Sequence, residues 1–223
     1  MIRLAWSLLG EPVDLSTAYA RVFVLEGPTG LRRFHEALEK EQQKEESGLF
    51  LSKDYDALPF VKSVMVVEQV MSVNPNQKKV LSKLYENLEK TAMDEDFYLL
   101  TGEIQASLLQ YVDKLLSSSP LALTVGELEL SSLLKSMDVQ IDVKNISLLE
   151  RICYFMDVVC DVLKQEIFLF FHLKSYLEEE ELAHLYQHCR YRNYILLLVE
   201  SQSKPKLAHE EITIIDKDLC RIT

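Results

Sequence analysis

A glycine-containing segment near the amino terminus stands where a phosphate loop would be placed. Residues 26–30 read EGPTG and follow an apolar run that is typical of a β-strand. A working phosphate loop ends in Gly-Lys-Ser/Thr, because the lysine contacts the β- and γ-phosphates and the hydroxyl holds magnesium. This segment lacks that ending. It therefore predicts a turn, and neither nucleotide binding nor ATP hydrolysis is expected.

Two histidines lie one helical turn apart, at His184 and His188. This spacing places both imidazoles on one face of a helix, as in many metal sites. Metalloproteases carry a glutamate directly after the first histidine, whereas this chain has Leu185. The pair predicts a surface helix that carries two histidines, with a weak transition-metal site as the alternative.

Other catalytic patterns are incomplete. The sequence contains no Gly-x-Ser-x-Gly elbow, and its acidic run at residues 178–181 is typical of the first turn of a helix. No pair of carboxylates is spaced as in a D…ExK nuclease site. The sequence therefore predicts a protein that is not an enzyme.

Lysines form a basic island in a chain that is acidic as a whole. Lys78, Lys79 and Lys83 fall within two helical turns, and residues 71–84 contain no acidic residue. The formal net charge is −11, however, and a DNA-binding surface is normally positive because it must displace counterions. The island indicates either phosphate contacts or ordinary solvated lysines. Binding DNA would require lysines to cluster on one face or to converge from several copies.

A second group of cations alternates with aromatic residues at 190–194 (RYRNY). Such interleaving is found in single-stranded nucleic-acid sites, where bases stack on aromatic rings. The group also precedes a buried strand, so Tyr194 has a second interpretation as a core residue.

Short apolar runs rich in β-formers predict the strands of an α/β protein. They lie at residues 2–9, 21–25, 63–70, 167–172, 194–199 and 211–215. The runs at 167–171 and 195–199 are continuously apolar, as strands covered on both faces must be. With the helical pattern at 178–192 between them, they form a β-α-β crossover. We expect a mostly parallel sheet as the core.

The middle of the chain reads as helical. Apolar residues recur at helical spacing in 78–91 and 95–116, and Thr124 with Glu127 matches a capping box before a third helix. A further helix is predicted at 147–164. These patterns indicate a discontinuous α/β core at 1–72 and 145–223, with an α-helical lobe at 73–144 inserted into it.

Composition is that of a globular protein. Of the 223 residues, 48% are hydrophobic and 26% charged, so a sizeable core is expected. The four cysteines show no Cys-x-x-Cys spacing and predict reduced thiols rather than a disulfide framework. Neither a signal peptide nor a membrane span is expected, which indicates a cytoplasmic protein.

Several stretches together resemble one known family. They are residues 7–13 (SLLGEPV), 73–74 (VN) before the lysine-bearing helix, 133–141 (LLKSMDVQI), 196–200 (LLLVE) and 214–218 (IIDKD). In this order they resemble the ring-forming adaptation proteins of type II-A CRISPR systems, the Csn family of bacteria. The resemblance implies a nucleotide-hydrolase-like core without a working phosphate loop. It also implies a homotetrameric ring that threads double-stranded DNA from a free end, without sequence preference, during spacer acquisition beside the integrase proteins and the effector nuclease.

The resemblance also assigns residues. Lys135 matches a lysine of the family, Lys53 matches one approximately, and Gln140 stands where relatives often have lysine. Family members bind calcium between lobe helices, but this chain offers only Glu127 and Glu129 there, whereas calcium takes six to eight oxygens. Calcium binding is thus an open expectation. The alternative function is a protein-interaction scaffold of the adaptation complex that binds little DNA itself.

Overall fold

The computed structural model describes residues 1–16, 19–143 and 146–222. It divides into two compact units, one formed by 1–74 and 145–223 and the other by 75–144. Each unit is described by itself below.

Two sheets form the first unit. Their strands are β1 (Ile2–Trp6), β2 (Val13–Asp14), β3 (Ala20–Leu25), β4 (Leu49–Lys53), β5 (Asp56–Leu58), β6 (Val64–Val67), β7 (Ile167–Phe171), β8 (Ile195–Glu200), β9 (Glu210–Ile215) and β10 (Arg221–Ile222). The larger sheet has the order β10-β9-β3-β8-β7-β6, and all of its strand pairs are parallel except β9 with β10. The smaller sheet, β2-β1-β4-β5, is antiparallel.

Helices cover the larger sheet. In the first unit they are α1 (Pro28–Gln43), the short α2 (Phe60–Ser63), α6 (Leu148–Leu163) and α7 (Glu179–Arg192). Every residue of β3 and β7 is buried, which explains why these strands are apolar throughout. The parallel pairing of β7 with β8 around α7 confirms the predicted β-α-β crossover.

Capping boxes fix the starts of two of these helices. Ser147 accepts a hydrogen bond from the backbone of Glu150 at the start of α6, and the Glu150 side chain accepts one from the Ser147 backbone. Glu178 and Glu181 make the same reciprocal pair at α7. Each box satisfies backbone N–H groups that have no partner inside the helix.

The second unit consists of helices α3 (Lys78–Ala92), α4 (Tyr98–Ser117) and α5 (Leu130–Ser136), and its described residues contain no strand. Hydrogen bonds join α3 and the residue before its N-cap to the chain segment that follows α5. Asn76 Nδ2 donates to the carbonyl of Ile141 at 3.0 Å and its Oδ1 accepts from the Ile141 N–H at 2.9 Å, while the Tyr85 hydroxyl donates to the carbonyl of Val139 at 2.8 Å.

One predicted feature of this unit is wrong. The capping box at Thr124 and Glu127 does not form, because residues 122–129 have no regular secondary structure and α5 begins only at Leu130. Its N-cap residue is Glu129, whose side chain makes no cap bond. A Thr-x-x-Glu pattern caps a helix only when the intervening residues adopt helical angles, and here Gly126 has the poorest helix propensity after proline.

Candidate nucleic-acid interface

Helix α3 separates its apolar and charged residues onto opposite faces. Val80 and Tyr85 are buried on one side. At 100° per residue, Lys79, Lys83 and Lys90 fall together on the opposite side. We call these three residues the lysine face. Packing of the apolar side thus dictates that the lysines point away from the core of their unit.

The lysine face also contains one carboxylate. Lys83 Nζ lies 2.6 Å from an oxygen of Glu86, an i, i+3 ion pair in which both side chains are substantially exposed. The hydrogen bond from Lys83, with the charges of Lys83 and Lys90, lowers the pKa of Glu86. Glu86 is therefore ionised at neutral pH and offsets part of the positive charge.

Lys79 differs from its neighbours in solvation. It is an exposed residue, yet partial desolvation lowers the pKa of its ammonium group. An anion at this position would reverse that effect, because an opposite charge favours the charged form of lysine.

The remaining lysines named from the sequence lie on different elements. Lys78 is exposed in the first turn of α3, where the helix dipole favours anions, and it lies about 100° around the helix from Lys79. Lys135 is exposed in the last turn of α5, in the same unit. Lys53 ends β4 in the other unit and is also exposed.

Gln140 has a local partner. Its side-chain amide donates to Asp138 Oδ1 at 2.6 Å. Sequence reasoning did not single out Lys90 or Glu86, because both lie outside the acid-free stretch 71–84. A helical projection of α3 would have placed both of them beside Lys79 and Lys83.

The arginines of the second basic group, at residues 190–194, contact other residues of the protein. The Arg190 guanidinium lies 4.6 Å from the ring centre of Tyr19, and Arg192 Nε donates to Asp157 Oδ1 at 3.0 Å. Tyr194 is buried and donates to the same oxygen at 2.8 Å. The core interpretation of Tyr194 is thereby confirmed, and both arginines are engaged within the protein.

Neither acidic nor histidine residues assemble into a metal centre in the described part of the chain. Glu127 and Glu129 are exposed, and Glu129 accepts a hydrogen bond from Ser132. Within residues 1–16, 19–143 and 146–222, no group of three or more His, Cys, Asp or Glu side chains is placed to hold a metal ion. Two carboxylates alone do not fit a calcium shell of six to eight oxygens.

The two helical histidines have different surroundings. His184 is exposed, as predicted, whereas His188 Nε2 lies 3.1 Å from Asp157 Oδ1. His188 thus packs against α6 rather than pairing with His184.

Comparison with known proteins shows the family. A family model described as "CRISPR-associated protein (Cas_Csn2)" matches residues 42–219, which is most of the chain. The chain belongs to the Cas_Csn2 family. Among curated proteins, none matches the sequence significantly.

A solved structure supports the fold of this Cas_Csn2 chain. It is titled "Crystal structure of Stu0660 of Streptococcus thermophilus", and the similarity has a TM-score of 0.61 over 97% of this chain and 74% of that chain. The identity is 14%, so the likeness shows the fold alone.

In this Cas_Csn2 chain only the first two residues of the segment at 26–30 form the predicted turn, because residues 28–30 already belong to α1. Residues 26 and 27 alone connect β3 to α1, and Gly27 has a φ of 86°, a left-handed value that favours glycine. Pro28 then occupies the first helical position, where its lack of an N–H is harmless. A Cβ on Gly27 would approach Lys217 Cγ to 3.4 Å, so the turn packs closely against the chain after β9.

A buried ionic network lies under α7. Lys174 Nζ donates to both oxygens of Glu210, at 2.8 and 2.9 Å, and the hydroxyl of Tyr186 donates to Glu210 at 2.6 Å. Nothing in the sequence pattern distinguished these residues. Their burial places them in the support of the sheet rather than on a binding surface. None of the described helices is long and apolar enough to span a membrane.

Proposed function

We propose that this Cas_Csn2 protein is a non-catalytic ring of four copies that threads linear double-stranded DNA, independently of sequence, during CRISPR spacer acquisition. Family membership supports a role in CRISPR adaptation. The ring, the DNA and the partners, namely the integrase proteins and the effector nuclease, are our inference from what the resemblance implies.

The main observation in support of DNA binding is the lysine face of α3. Lys79 and Lys90 are eleven residues apart, which corresponds to about 16 Å along the helix axis. Phosphates of one DNA strand recur about every 3.4 Å along the duplex axis. The face therefore spans several phosphates. Contacts from lysine to phosphate position a protein on DNA without reading its sequence.

A ring reconciles this face with the net charge of −11. Four lysine faces directed at one duplex create a local positive potential, while acidic surfaces remain outside it. Lys135, Lys78 and Lys53 are additional exposed cations that we assign to the same role.

The core is consistent with an ancestry shared with nucleotide hydrolases that has lost its chemistry. A parallel strand, β3, leads through a tight turn into α1, as in those enzymes. The turn is two residues long and offers no lysine to phosphates. We therefore propose that the chain neither binds nor hydrolyses nucleotides.

A scaffold that recruits proteins and binds little DNA is the second candidate. The replacement of a family lysine by Gln140, which is held by Asp138, favours it. Under this alternative the lysine face of α3 is a solvated surface.

Binding of linear and covalently closed circular duplexes of equal length and sequence tests the proposal. Threading predicts that the linear form shifts in a gel and the circle does not. The variant K79Q/K83Q/K90Q should lose most binding, whereas K40Q/K62Q/K206Q, with the same loss of charge at exposed sites elsewhere, should retain it. Equal binding of the two DNA forms would refute threading, and equal binding by the two variants would refute the role of the lysine face.

A further inference from the structure

A groove follows helix α7 on the surface of the first unit. It has a volume of about 770 Å³, a size that is typical of ligand sites. One wall is a face of α7, from Glu179 and Glu180 at its start to Arg190 near its end. The other wall consists of Tyr19, which precedes β3, and residues 207–209, which precede β9. We call this feature the α7 groove.

Buried hydrogen bonds fix the two walls relative to each other. Glu210 accepts a hydrogen bond from the hydroxyl of Tyr186, on α7, at 2.6 Å and another from the N–H of Leu207, on the other wall, at 3.0 Å. The N–H of Tyr19 donates to the carbonyl of His209 at 3.2 Å, and the two rings stack with centres 4.3 Å apart. The groove is therefore preformed, and a ligand does not have to order its walls on binding.

The middle of the α7 groove is apolar. Tyr186, Leu207 and Ala208 line it, and the small, exposed Ala183 allows another chain to approach α7 closely. Tyr191, at one end of the lining, is 84% exposed. Exposed aromatic rings beside apolar surface are typical of interaction sites. The groove thus suits the apolar side of a ligand.

The two ends of the groove carry opposite charges. Glu179 and Arg190 are eleven residues apart, which corresponds to about 16 Å along the helix axis. The guanidinium of Arg190 lies 4.6 Å from the ring centre of Tyr19, and among the described residues no carboxylate forms an ion pair with it. Its fork of N–H groups is available to an anionic group of a ligand.

We propose that the α7 groove binds an amphipathic helix of a partner protein, antiparallel to α7. The partner helix carries carboxylates near its amino terminus, opposite Arg190, and basic side chains near its carboxyl terminus, opposite Glu179 and Glu180. Its apolar stripe packs on the middle of the groove. The helix dipole favours the same placement of charges within the partner helix, which selects the antiparallel direction over the parallel one.

The backbone of the walls explains why the ligand is a helix. The N–H and C=O groups within α7 bond to one another, the N–H of Leu207 bonds to Glu210, and the carbonyl of His209 accepts from Tyr19. An extended peptide pairs its backbone with a strand edge, which these walls do not offer. A helix satisfies its own backbone and needs only side-chain contacts.

The inference goes beyond the proposed function, because neither the ring nor the lysine face takes part in it. Helix α7 belongs to the first unit, whereas α3 belongs to the second. The α7 groove provides a surface through which the chain recruits another protein whether or not it holds DNA.

A designed peptide tests the groove. The probe is a fluorescent, hydrocarbon-stapled helix of about eighteen residues, with glutamates in its first turn, leucines at intervals of three and four, and arginines in its last turn. The control peptide has its glutamates and arginines exchanged. We expect fluorescence anisotropy to give a dissociation constant on the order of 10 µM for the probe and one about tenfold weaker for the control. A probe that does not bind below about 1 mM overturns the inference.

Filling the groove tests where the probe binds. A183W should weaken binding of the probe at least about tenfold, because the indole occupies the space for the ligand. H184W adds the same ring at the next residue of α7, which is exposed and does not line the groove, and it should bind as the wild type does. Both positions are exposed, so the melting temperature should not change. Equal binding by the two variants would place the probe elsewhere.

Charge reversal tests the direction of the helix. Glu179 and Glu180 are not members of the capping box of α7, so E179K/E180K/R190E keeps that box while it exchanges the charges at the ends of the groove. This variant should bind the control peptide about tenfold more tightly than the probe, the reverse of the wild-type preference. A variant that folds by circular dichroism but keeps the wild-type preference would contradict the antiparallel arrangement.

Two further measurements separate this inference from the DNA-binding ring. A183W should keep the molar mass of the wild type by light scattering and should shift linear DNA equally well. A lower mass or a lost shift would mean that the groove joins copies of the chain or contacts DNA, and the inference would be wrong. A wild-type protein that binds the probe but shifts no linear DNA would overturn the proposed function and leave the α7 groove intact.

Discussion

The Nζ atom of Lys83 lies 2.6 Å from a carboxylate oxygen of Glu86, which places a carboxylate on the lysine face of α3 that we propose binds DNA. An exposed ion pair of this kind contributes little to stability, on the order of 0–1 kcal/mol. Under the proposed function its larger effect is on DNA binding. A phosphate that approaches Lys83 would meet the charge of Glu86 and would have to displace this existing partner.

The variant E86Q should therefore bind linear duplex DNA more tightly, by about threefold at 0.1 M salt, and its affinity should fall more steeply with salt. A gel shift across a salt series measures both quantities. E39Q removes the same charge from an exposed site on α1 and should have a smaller effect. Weaker binding by E86Q would show that Glu86 orients Lys83 rather than competing with DNA.

Calcium removal should leave stability unchanged. Glu127 and Glu129 supply too few oxygens for the ion, and both are exposed. We expect the melting temperature in excess chelator to match that in millimolar calcium, and E127Q/E129Q to behave as the wild type. A rise in melting temperature with calcium that magnesium does not reproduce would reveal a site and contradict this expectation.

Loss of Lys174 should be severe. K174M leaves the fully buried Glu210 without its cation, and breaking a buried pair in this way costs about 3–5 kcal/mol. Urea unfolding measures the loss. K206M, in the nearby loop, serves as the exposed control. The double variant K174M/E210Q should recover part of the stability, because it no longer buries an unpaired charge. A K174M protein as stable as the wild type would mean that water reaches Glu210.

The central strands of the larger sheet, β3, β8 and β7, could be predicted because they are buried on both faces. Strands β7 and β8 are continuous apolar runs of a length that suits strands, and the acidic start of α7 separates them. That pattern leaves few alternatives to a parallel crossover. The mixed α/β class follows from these elements.

Only β1 of the smaller sheet was predicted as a strand, within the apolar run at 2–9. The other strands of this sheet were not predicted, since they are short and covered on one side only. In β4, Leu49 and Leu51 are buried while Phe50 between them is 65% exposed, and Lys53 ends the strand. Alternation over so few residues is hard to distinguish from a loop. Strand β2 of this sheet and strand β10 at the edge of the larger sheet have two residues each, and their pairing depends on tertiary contacts that no local pattern records.

Part of the candidate interface followed from spacing alone. Lys79 and Lys83 are one helical turn apart, so any helix over 78–91 places them on one face. Lys78 was grouped with them because it is adjacent to Lys79 in the sequence. Adjacent residues of a helix lie about 100° apart around its axis, so Lys78 is not on the same face. Conversely, Lys90 lies on the lysine face although it is seven residues after Lys83. Acidic residues separate the two lysines in the sequence, so no continuous basic stretch indicates Lys90.

Low pH should weaken the contacts that Asp157 of α6 makes with α7 and the residue that follows it. Asp157 Oδ1 accepts hydrogen bonds from Arg192 and Tyr194 and lies against His188. Partial burial opposes ionisation, but these hydrogen bonds and the nearby cations outweigh it and lower the pKa of Asp157. A carboxylate whose folded pKa lies below its unfolded value of about 3.9 contributes stability above that pH, and the contribution disappears as pH falls through the folded pKa.

The variant D157N should accordingly be less stable than the wild type at pH 7, by about 1 kcal/mol. The difference should persist down to about pH 4 and narrow below it, because the wild-type carboxyl then becomes neutral as well. Urea unfolding at a series of pH values measures this. D161N, at an exposed position one turn further along α6, should show no such pH-dependent gap. A gap that stays constant below pH 4 would mean that Asp157 acts through its shape and hydrogen bonds and not through its charge.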